Sequence, residues 1–543
     1  MNNHVLGVDF GTSAVRALIL NAEDGSEVAA GVSGYPRWEK GEFCDPANSV
    51  YRQHPLELRE AFTAAVSEAV SKLPPTERAK VAAISVDTTG SSPLPVDSHL
   101  QPLAASPEFG NDPNAMCILW KDHAAIPEAS LISQLIPPEY LQFCGNEYSA
   151  EWFWAKLLHV AKRSPKIGAA AATWVEHCDW VVADLCGHSN PAQLVRSRCG
   201  AAHKALWNTR WGGFPDAAVL AQIDPYLGHV RRNLSSETMP AGQAAGELSA
   251  NWAEMLGLPA GIPVGAAIFD AHAGAIGAGV AVGRVVKVIG TSSAEIVVAE
   301  PDRLPMSGVP GIESQAEGSI VPDMIGIEAG QPAFGDIFAW YARLLSYSAT
   351  GEHGEPDPTT INRVLSSLEE AAGSRPLTSH TPVVLDWFNG RRAPYANSGA
   401  TGALTGLDLG MDAVDLYSSI VRSLGFGTKA IHAHLRSQGV PIHTVTAVGG
   451  IPQRSPYIMQ TLANCIACPV EVAGTTQASA RGSAILATVV AGLYPNVAAA
   501  IEKLRSKAVA TYSPSPDSAD TYEAWYRDYI TTASTLDTTA RFT

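Results

Sequence analysis

The chain lacks both a long uninterrupted apolar run and an excess of positive charge. No apolar stretch reaches the roughly 18 residues that a membrane-spanning helix needs. The nearest one, at 266–282, is interrupted by Asp270 and His272. The formal net charge of −16 provides no basic field that would gather nucleic-acid phosphates. These features argue against a membrane span and a general nucleic-acid partner, but not against ATP, which needs only a local positive site.

Cysteine is also scarce. Eight cysteines are scattered through 543 residues, which is typical of a reduced cytoplasmic protein rather than a disulfide scaffold. Cys465 and Cys468 form a single CxxC motif without a second pair, so buried thiols are favoured over a zinc or redox site. The N-terminus enters a strand pattern within a few residues, so we expect no signal peptide and a cytoplasmic location.

Two well-known phosphate-binding signatures are missing. The Gly-Lys-Ser/Thr triplet of a P-loop does not occur, and neither does the protein-kinase motif set. The glycines that follow Asp270 are spaced as in a close-packed helix, not as in a dinucleotide-binding fingerprint. A phosphate site in this chain must therefore be built in another way.

The sequence does contain a polar turn between two β-rich runs, at 9–13. Gly11 allows backbone to approach a ligand closely, and Thr12 and Ser13 supply hydroxyl and N–H donors for an anion. Asp9 ends the first run, where a carboxylate can hold Mg²⁺ directly or through water. The segment predicts a site for a nucleotide phosphate and its metal, with an ordinary hairpin turn as the alternative.

Two further turns repeat this pattern downstream. Gly290 and Thr291 lie between β-rich runs about half a chain away, which indicates a weak internal repeat at the scale of a domain. A third strand pattern ends in Gly449 and Gly450, followed by Gln453, where a flat base or ribose could approach the backbone. In this order and spacing the turns resemble the superfold of sugar kinases, hexokinase, actin and Hsp70, which closes two RNase H-like domains around ATP.

The length of the chain exceeds one hydrophobic core and predicts two large α/β domains. We place the boundary near residue 265, giving an N-terminal domain of 1–265 and a C-terminal domain of 266–543, and we expect 346–378 to be a polar surface insertion. The predicted strands are Val5–Val8, Arg16–Leu20, Val28–Val32, Val81–Val86, Val264–Ile268, Val285–Ile289, Ala294–Val298 and Thr444–Val448. The predicted helices are Pro55–Leu73, Ser149–Arg163, Val175–Cys186, Asp336–Leu345, Val414–Ser437 and Asp520–Thr532.

Asp270 is the strongest single candidate for chemistry. A predicted strand delivers it to a sheet edge and a predicted helix starts just after it, and ligands bind at such edges of α/β folds. A carboxylate there can accept the proton of a sugar hydroxyl that attacks a phosphoryl group. The alternative is that Asp270 only caps the helix.

The residues around Asp270 carry a specific resemblance to a known family. The segment Phe-Asp-Ala-His-Ala-Gly at 269–274 resembles the catalytic aspartate segment of the FGGY carbohydrate kinases. Further stretches are similar to the branch of that family that phosphorylates L-ribulose, and together they span nearly the whole chain. These stretches are 86–93, 119–125, 148–152, 203–207, 326–331 and 385–390.

The resemblance implies two α/β domains of the RNase H-like superfold with an active-site cleft between them. It implies that Asp270 is the general base and a second candidate ligand for Mg²⁺, and that Trp120, Lys204 and Glu328 hold a ketopentose beside the backbone of Gly90. The sugar would lie on the N-terminal side, with ATP on the C-terminal side at Gly449, Gly450 and Gln453. The structural alternatives are that Trp120 is a core residue, that Lys204 is a solvated charge and that Asp87 caps a turn.

The implied activity is the Mg²⁺- and ATP-dependent conversion of L-ribulose to L-ribulose 5-phosphate in L-arabinose catabolism. Another pentulose kinase of the family, for D-ribulose or xylulose, is the alternative within the class. A non-kinase actin-like ATPase and a sugar sensor are alternatives outside it, and the sequence leaves a homodimer open. Asn464 stands where many members of the family have Asp, which puts in doubt any ionic role at that position.

Overall fold

A computed structural model describes residues 3–350, 356–377 and 381–537. The strands, numbered in chain order, are β1 His4–Phe10, β2 Ala14–Asn21, β3 Glu27–Gly34, β4 Cys44–Asp45, β5 Val50–Gln53, β6 Val81–Thr88, β7 Pro93–Val96, β8 Cys117–Ile118, β9 Thr173–Glu176, β10 Ala244–Glu247, β11 Pro263–Gly265, β12 Ile268–Phe269, β13 Gly283–Ile289, β14 Ser293–Ala299, β15 Ser314–Glu317, β16 Ile325–Gln331, β17 Val383–Leu385, β18 Ala403–Thr405, β19 Ile442–Val448, β20 Val470–Ala473 and β21 Ala508–Tyr512.

The α-helices, numbered in the same way, are α1 Pro36–Glu39, α2 Pro55–Ser71, α3 Pro75–Arg78, α4 Ile126–Leu135, α5 Phe153–Arg163, α6 Pro165–Ala170, α7 His177–Leu185, α8 Arg198–Lys204, α9 Ala217–Ile223, α10 Pro225–Arg232, α11 Ala250–Leu256, α12 Asp270–Ala278, α13 Gly335–Thr350, α14 Pro358–Ser374, α15 Ala413–Ser437, α16 Gly450–Arg454, α17 Pro456–Ile466, α18 Ala478–Val490, α19 Val497–Leu504 and α20 Ala519–Leu536. None of the helices in the described part of the chain is long and apolar enough to cross a membrane.

The first compact unit comprises 1–279, 315–326 and 477–506. Its main sheet has the strand order β10–β11–β6–β1–β2–β3, with β12 also pairing with β6. Strands β1, β6, β11 and β12 are parallel, whereas β2 and β3 extend the sheet as antiparallel neighbours. The carboxyl ends of β1, β6 and β12 therefore meet at one edge of the sheet.

Helices α12 and α18 pack closely together in this unit because glycines, which have no side chain, lie where the two helices cross. A Cβ added to Gly277 would lie 2.0 Å from the carbonyl oxygen of Ala478, and one added to Gly482 would lie 1.8 Å from that of Ala273. The close-packed helix predicted after Asp270 is thus present. This packing also explains why the unit continues past the predicted boundary near residue 265 and takes in 477–506.

The second compact unit comprises 280–314, 327–476 and 507–543. Its sheet runs in the order β16–β14–β13–β19–β20–β21. Strands β13, β19 and β20 are parallel, and β14 and β21 pair in the antiparallel sense with β13 and β20. The central strand order of the first unit is thereby repeated, and the helices predicted at 414–437 and 520–532 are present as α15 and α20.

The predicted polar insertion at 346–378 contains structure that the composition did not indicate. Helix α14 occupies Pro358–Ser374, begins at an Asp357 cap and buries Leu368 and Ala372. The Glu369 carboxylate accepts a 2.7 Å hydrogen bond from the hydroxyl of Ser455. Residues 351–355 and 378 of this segment lie outside the described residues.

Candidate active site

Three aspartates meet at the carboxyl edge of the sheet in the first unit. Asp9 on β1 lies directly opposite Asp87 on β6, and Ile268 of β12 lies opposite Asp87 on its other side. Asp270 follows β12 by one residue, so it extends from the same edge. The sequence predicted the positions of Asp9 and Asp270, and strand pairing adds Asp87 between them.

The carboxylates at this edge influence one another. Burial raises the pKa of Asp87 well above its usual value, and the nearby charges of Asp9 and Asp270 raise it further. Burial also raises the pKa of Asp9, although the Arg16 guanidinium, 3.4 Å away, opposes the shift. Oδ2 of Asp87 accepts a 2.6 Å hydrogen bond from Ser483. The edge therefore brings three carboxylates together, and the Arg16 guanidinium lies beside the carboxylate of Asp9.

Asp270 is the first residue of α12, directly after the N-cap residue Phe269. Its Oδ1 atom accepts a 2.7 Å hydrogen bond from the amide of Ala271, the second residue of the helix. The carboxylate thus satisfies an N-terminal amide of α12, as the helix-cap alternative expects. The Ser479 hydroxyl donates a 2.9 Å hydrogen bond to the Asp270 carbonyl, which ties this residue to the N-terminal turn of α18.

Gly90 supports the backbone that carries Asp270. A Cβ at Gly90 would lie 2.3 Å from the ring of Phe269, the residue directly before Asp270. The absence of a side chain at Gly90 therefore lets the loop after β6 lie against Phe269. The predicted sugar-side residue Gly90 and the predicted base are brought together through this ring.

A hydrogen bond connects a residue predicted to bind the sugar with a residue predicted to bind phosphate. The indole N–H of half-buried Trp120 donates a 3.0 Å hydrogen bond to the hydroxyl of Thr12. Gln53 donates to the carbonyl of Thr12 at 2.9 Å, and the Gly11 amide donates to the carbonyl of Ala14 at 3.1 Å. The turn is thus held rigidly beside Trp120, which is not a core residue, while the neighbouring Ser13 is exposed.

Lys204, at the end of α8, is only 8% exposed, so its interpretation as a solvated charge is wrong. Its Nζ atom lies 5.7 Å from the ring centre of Trp152, within cation–π range. The Tyr148 hydroxyl donates a 2.9 Å hydrogen bond to the Lys204 carbonyl and fixes the end of the helix. A buried ammonium of this kind is suited to bind the oxygens of a small polar ligand.

Two buried charged residues at this edge carried no signal in the sequence. Lys156 on α5 donates hydrogen bonds to the carbonyls of Ser91 at 2.7 Å and Leu119 at 2.9 Å. Glu176 at the end of β9 accepts from the hydroxyl of Ser91 at 2.5 Å and from the amide of Ser92 at 2.8 Å. Glu176 thus holds the loop that carries Gly90, and Lys156 holds both that loop and the one that carries Trp120.

The edge of the sheet in the second unit is built from backbone rather than carboxylates. The Gly290–Thr291 turn joins β13 to β14 and is exposed. The carbonyl of Gly290 accepts from the amide of Gly335 at 3.0 Å, and that of Thr291 accepts from the amide of Phe334 at 2.7 Å. The turn is thereby fixed to the N-terminus of α13.

Gly449 and Gly450 follow β19 at the same edge. Gly449 has φ +125°, and a Cβ there would lie 2.1 Å from the carbonyl oxygen of Ile289, so only glycine fits. Gln453 on α16 donates a 2.8 Å hydrogen bond to the carbonyl of Ala473, which gives its amide group a structural role.

Two other predicted positions lie in the second unit. Glu328 lies on β16 and is half-buried. The side-chain oxygen of Asn464 accepts hydrogen bonds from the Ser515 amide at 2.9 Å and from the Gln460 side chain at 3.1 Å. An amide at position 464 thus connects α17 to the segment after β21 without any ionic pairing.

Comparison with known proteins assigns both units. Residues 4–277 match the N-terminal domain, and residues 285–491 the C-terminal domain, of the FGGY family of carbohydrate kinases. A ribulokinase from Vibrio parahaemolyticus is 42% identical over 94% of this chain and 92% of its own length. A ribulokinase from Shouchella clausii is 32% identical over 97% of this chain and 94% of its own length.

Solved structures agree with this fold. A xylulose kinase from Rhodospirillum rubrum superposes with a TM-score of 0.79 at 21% identity, over 98% of this chain and 99% of the other. A Plasmodium falciparum glycerol kinase solved with ADP gives a TM-score of 0.75 at 14% identity, over 98% of both chains. At these identities the likeness concerns the fold alone.

Proposed function

The chain belongs to the FGGY family of carbohydrate kinases, and on that premise we propose that it transfers the γ-phosphoryl group of ATP to L-ribulose, forming L-ribulose 5-phosphate and ADP. The similarity to ribulokinases at 42% and 32% identity over almost the full length supports this choice of sugar. The observation that carries the chemistry is the edge of the first sheet, where Asp270 lies beside Asp87 and Asp9.

We propose that the first unit binds the ketopentose. Lys204 would bind sugar oxygens with its ammonium group, Trp120 would form an aromatic wall, and the backbone at Gly90 would complete the site. Glu328 of the second unit would accept a hydrogen bond from a sugar hydroxyl. Together they combine a cation, a carboxylate, an aromatic surface and backbone groups, a set that can orient several hydroxyls and a carbonyl at once.

Asp270 would act as the general base. Its carboxylate would accept the proton of the terminal sugar hydroxyl while that oxygen forms a bond to the γ-phosphorus, and the bond from phosphorus to the ADP oxygen would break. The electron pair of the breaking bond would leave with ADP. Its position at the start of α12, directly after β12, would place the Asp270 carboxylate at the same sheet edge as Asp9 and Asp87 for this transfer.

The residues of the first edge fit Mg²⁺, which the family implies. Hard cations prefer carboxylate oxygens, and Asp9, Asp87 and Asp270 offer them at one sheet edge. Oδ1 of Asp87 is buried and has no hydrogen-bond partner among the described residues, as expected of an atom whose partner is a cation or its water. When bound, the ion would neutralise phosphate charge.

The nucleotide would bind to the second unit. Gly290 and Thr291 would supply N–H and hydroxyl donors to phosphates, as would Gly11, Thr12 and Ser13 of the first unit. Gly449 and Gly450 would let the adenosine approach the backbone after β19. Gln453 would act indirectly, because its amide group holds α16 against the end of β20.

The reaction would take place in the cytoplasm, since all eight cysteines are free thiols in the structure, as expected under reducing conditions. Sugar and ATP would be its partners. The homodimer that the sequence leaves open would be tested by light scattering on the purified protein with and without both substrates.

A coupled assay of ADP release tests the proposal. The purified protein would be offered Mg²⁺ and ATP with each of the four 2-ketopentoses and with ribitol. We expect the highest kcat/KM for L-ribulose and a 5-phosphate product. A higher kcat/KM for D-ribulose or a xylulose would assign a different pentulose kinase, and ADP release that does not depend on sugar would assign an ATPase. Sugar binding without turnover would instead indicate a sensor.

A further inference from the structure

Lys156 is a buried cation whose hydrogen bonds all go to main-chain carbonyls. Its side chain is 1% exposed, and Nζ lies 2.7 Å from the oxygen of Ser91, 2.9 Å from that of Leu119 and 3.4 Å from that of Ile118. No carboxylate of the described residues forms an ion pair with it. The three N–H donors of the ammonium are thus matched by three oxygens from two separate loops.

The two loops are those that carry candidate sugar contacts. Ser91 directly follows Gly90, and Leu119 directly precedes Trp120. The loops are far apart in sequence and come from different strands, β6 and β8, so the chain itself does not fix their separation. Each loop is held next to Lys156 by a carbonyl oxygen one residue away from the group that would face the sugar.

Glu176 also holds the first loop. Its two oxygens accept from the Ser91 hydroxyl at 2.5 Å and the Ser92 amide at 2.8 Å. The Ser91–Ser92 segment therefore donates to Glu176, while its Ser91 carbonyl accepts from Lys156. Because side-chain hydrogen bonds are directional, these contacts fix the orientation of the loop as well as its position.

Burying an ammonium is costly even though the charges of Asp122, Glu176 and Glu151 favour it, and burial lowers the pKa of Lys156 to about 8. Its presence suggests that the orientation of the two loops matters more than the stability lost. We propose that Lys156 is a positioning residue of the sugar site, which holds Gly90 and Trp120 at a fixed separation by binding the carbonyls beside them. This inference rests on the proposed function, because it takes these two residues to be sugar contacts.

Lys156→Met tests the inference, since it keeps the length of the side chain and removes all three donors. We expect KM for L-ribulose to rise about tenfold or more, because small displacements of binding groups are amplified in the bound complex, while KM for ATP changes less than about twofold. Calorimetric affinity for the sugar without nucleotide should fall in parallel. Lys162→Met on the exposed side of the same helix is the matched control and should leave both KM values unchanged.

Lys156→Gln provides a second variant if Lys156→Met does not fold, since its amide keeps two donors without the charge. An intermediate rise in the sugar KM would support the positioning role. Equal changes in both KM values, or a lower active fraction with unchanged KM values, would show that Lys156 is merely structural and would overturn the inference. Failure of the wild-type protein to phosphorylate any ketopentose would instead overturn the proposed function, and the assignment of the sugar site with it.

Discussion

In the first unit, Asp9 of β1 lies opposite Asp87 of β6, whereas at the corresponding point of the second unit Val288 of β13 lies opposite Val448 of β19. Both pairs come at the carboxyl ends of central parallel strands, just before a Gly-Thr turn or a glycine pair. One strand arrangement therefore presents buried carboxylates in one unit and apolar side chains in the other.

This difference indicates how one architecture can serve two tasks. Carboxylates can hold a metal and accept a proton, so the first edge is equipped for chemistry. The second edge offers backbone groups at Gly290, Gly449 and Gly450, which can approach a flat or anionic ligand closely but cannot take up a proton. The comparison predicts that replacing the carboxylates of the first edge mainly lowers turnover, whereas substitutions at the second edge weaken binding of the nucleotide.

The largest effect is expected from Asp270→Asn. Replacement of the carboxylate by an amide removes the proton acceptor but keeps the size of the side chain, so kcat should fall by about 10²–10⁴-fold. Calorimetric affinity for the sugar should change much less, because the loss occurs in the transition state. The exposed Asp517→Asn is the control. Unchanged turnover in Asp270→Asn would remove this residue from the mechanism.

The second prediction concerns a variant in which a carboxylate of the first edge is replaced by the apolar residue found at the corresponding point of the second edge. Asp9→Val places the residue of position 288 at the corresponding point of β1 and removes one candidate metal ligand. Turnover should fall by about 10-fold to 100-fold, the usual cost of weakening a metal site, and the Mg²⁺ concentration for half-maximal rate should rise. A magnesium titration of the coupled assay measures both. A rate defect with an unchanged magnesium requirement would contradict a role of Asp9 at the metal.

The third prediction compares two glycines, one in each unit. An alanine Cβ at Gly90 would lie 2.3 Å from the Phe269 ring, and one at Gly449 would lie 2.1 Å from the Ile289 carbonyl in a backbone of positive φ. Gly90→Ala should therefore raise mainly KM for the sugar, and Gly449→Ala mainly KM for ATP, each by about tenfold or more.

Gly399→Ala is the control for both glycine variants, because its Cβ would meet its nearest atom at 3.5 Å, an ordinary contact distance. Initial rates over a matrix of sugar and ATP concentrations separate the two KM values. If Gly90→Ala weakened ATP and sugar equally, the assignment of the first edge to the sugar would lose its support.

The sequence predicted the features that depend on local residue patterns. β-rich runs that flank short polar turns gave the hairpins at Gly11 and Gly290, and the apolar helical pattern at 414–437 gave α15. The pairing of Asp87 with Asp9 depends instead on the register of strands that are distant in sequence. Lys156 lies in a helix whose residues are buried on every side from 153 to 160, so periodicity cannot reveal its role.

The interrupted strand before Asp270 also shows what local sequence patterns cannot predict. A single strand was predicted at 264–268, but the structure has β11 at Pro263–Gly265 and β12 at Ile268–Phe269, both paired with β6. Local propensity favours extended backbone throughout this segment. The interruption becomes visible only when β6 is present as a partner, and it determines where Asp270 leaves the sheet.

The last prediction concerns acid stability and should leave turnover at neutral pH unchanged. His177 of the first unit is 1% exposed, and neither ring nitrogen has a hydrogen-bond partner among the described residues. Burial lowers its pKa from 6.5 to about 3. Between these two pH values the unfolded chain binds a proton at His177, whereas the folded protein does not. Stability should therefore fall as the pH drops from 6.5 towards 3, by about 2 kcal/mol between pH 7.5 and pH 5.

The second unit offers the contrasting case. His432 is also buried, but its Nε2 lies 3.0 Å from the carboxylate of Glu295. Burial raises the pKa of Glu295, yet Lys287 and His432 more than offset this and lower it to about 2. A depressed carboxyl pKa contributes stability above its unfolded value of 4.5 that is lost as the pH falls through 2, so Glu295 adds little pH dependence between pH 7.5 and pH 5.

Urea denaturation of the wild-type protein and of His177→Leu at pH 7.5 and pH 5 tests this difference. The variant should lose about 2 kcal/mol of the acid-induced destabilisation, and His99→Leu, in an exposed turn, should retain it. In nuclear magnetic resonance spectra, the ring signals of His177 should not titrate down to pH 5. An acid dependence that is the same in His177→Leu and the wild type would show that the ring becomes protonated in the folded protein and would contradict the prediction.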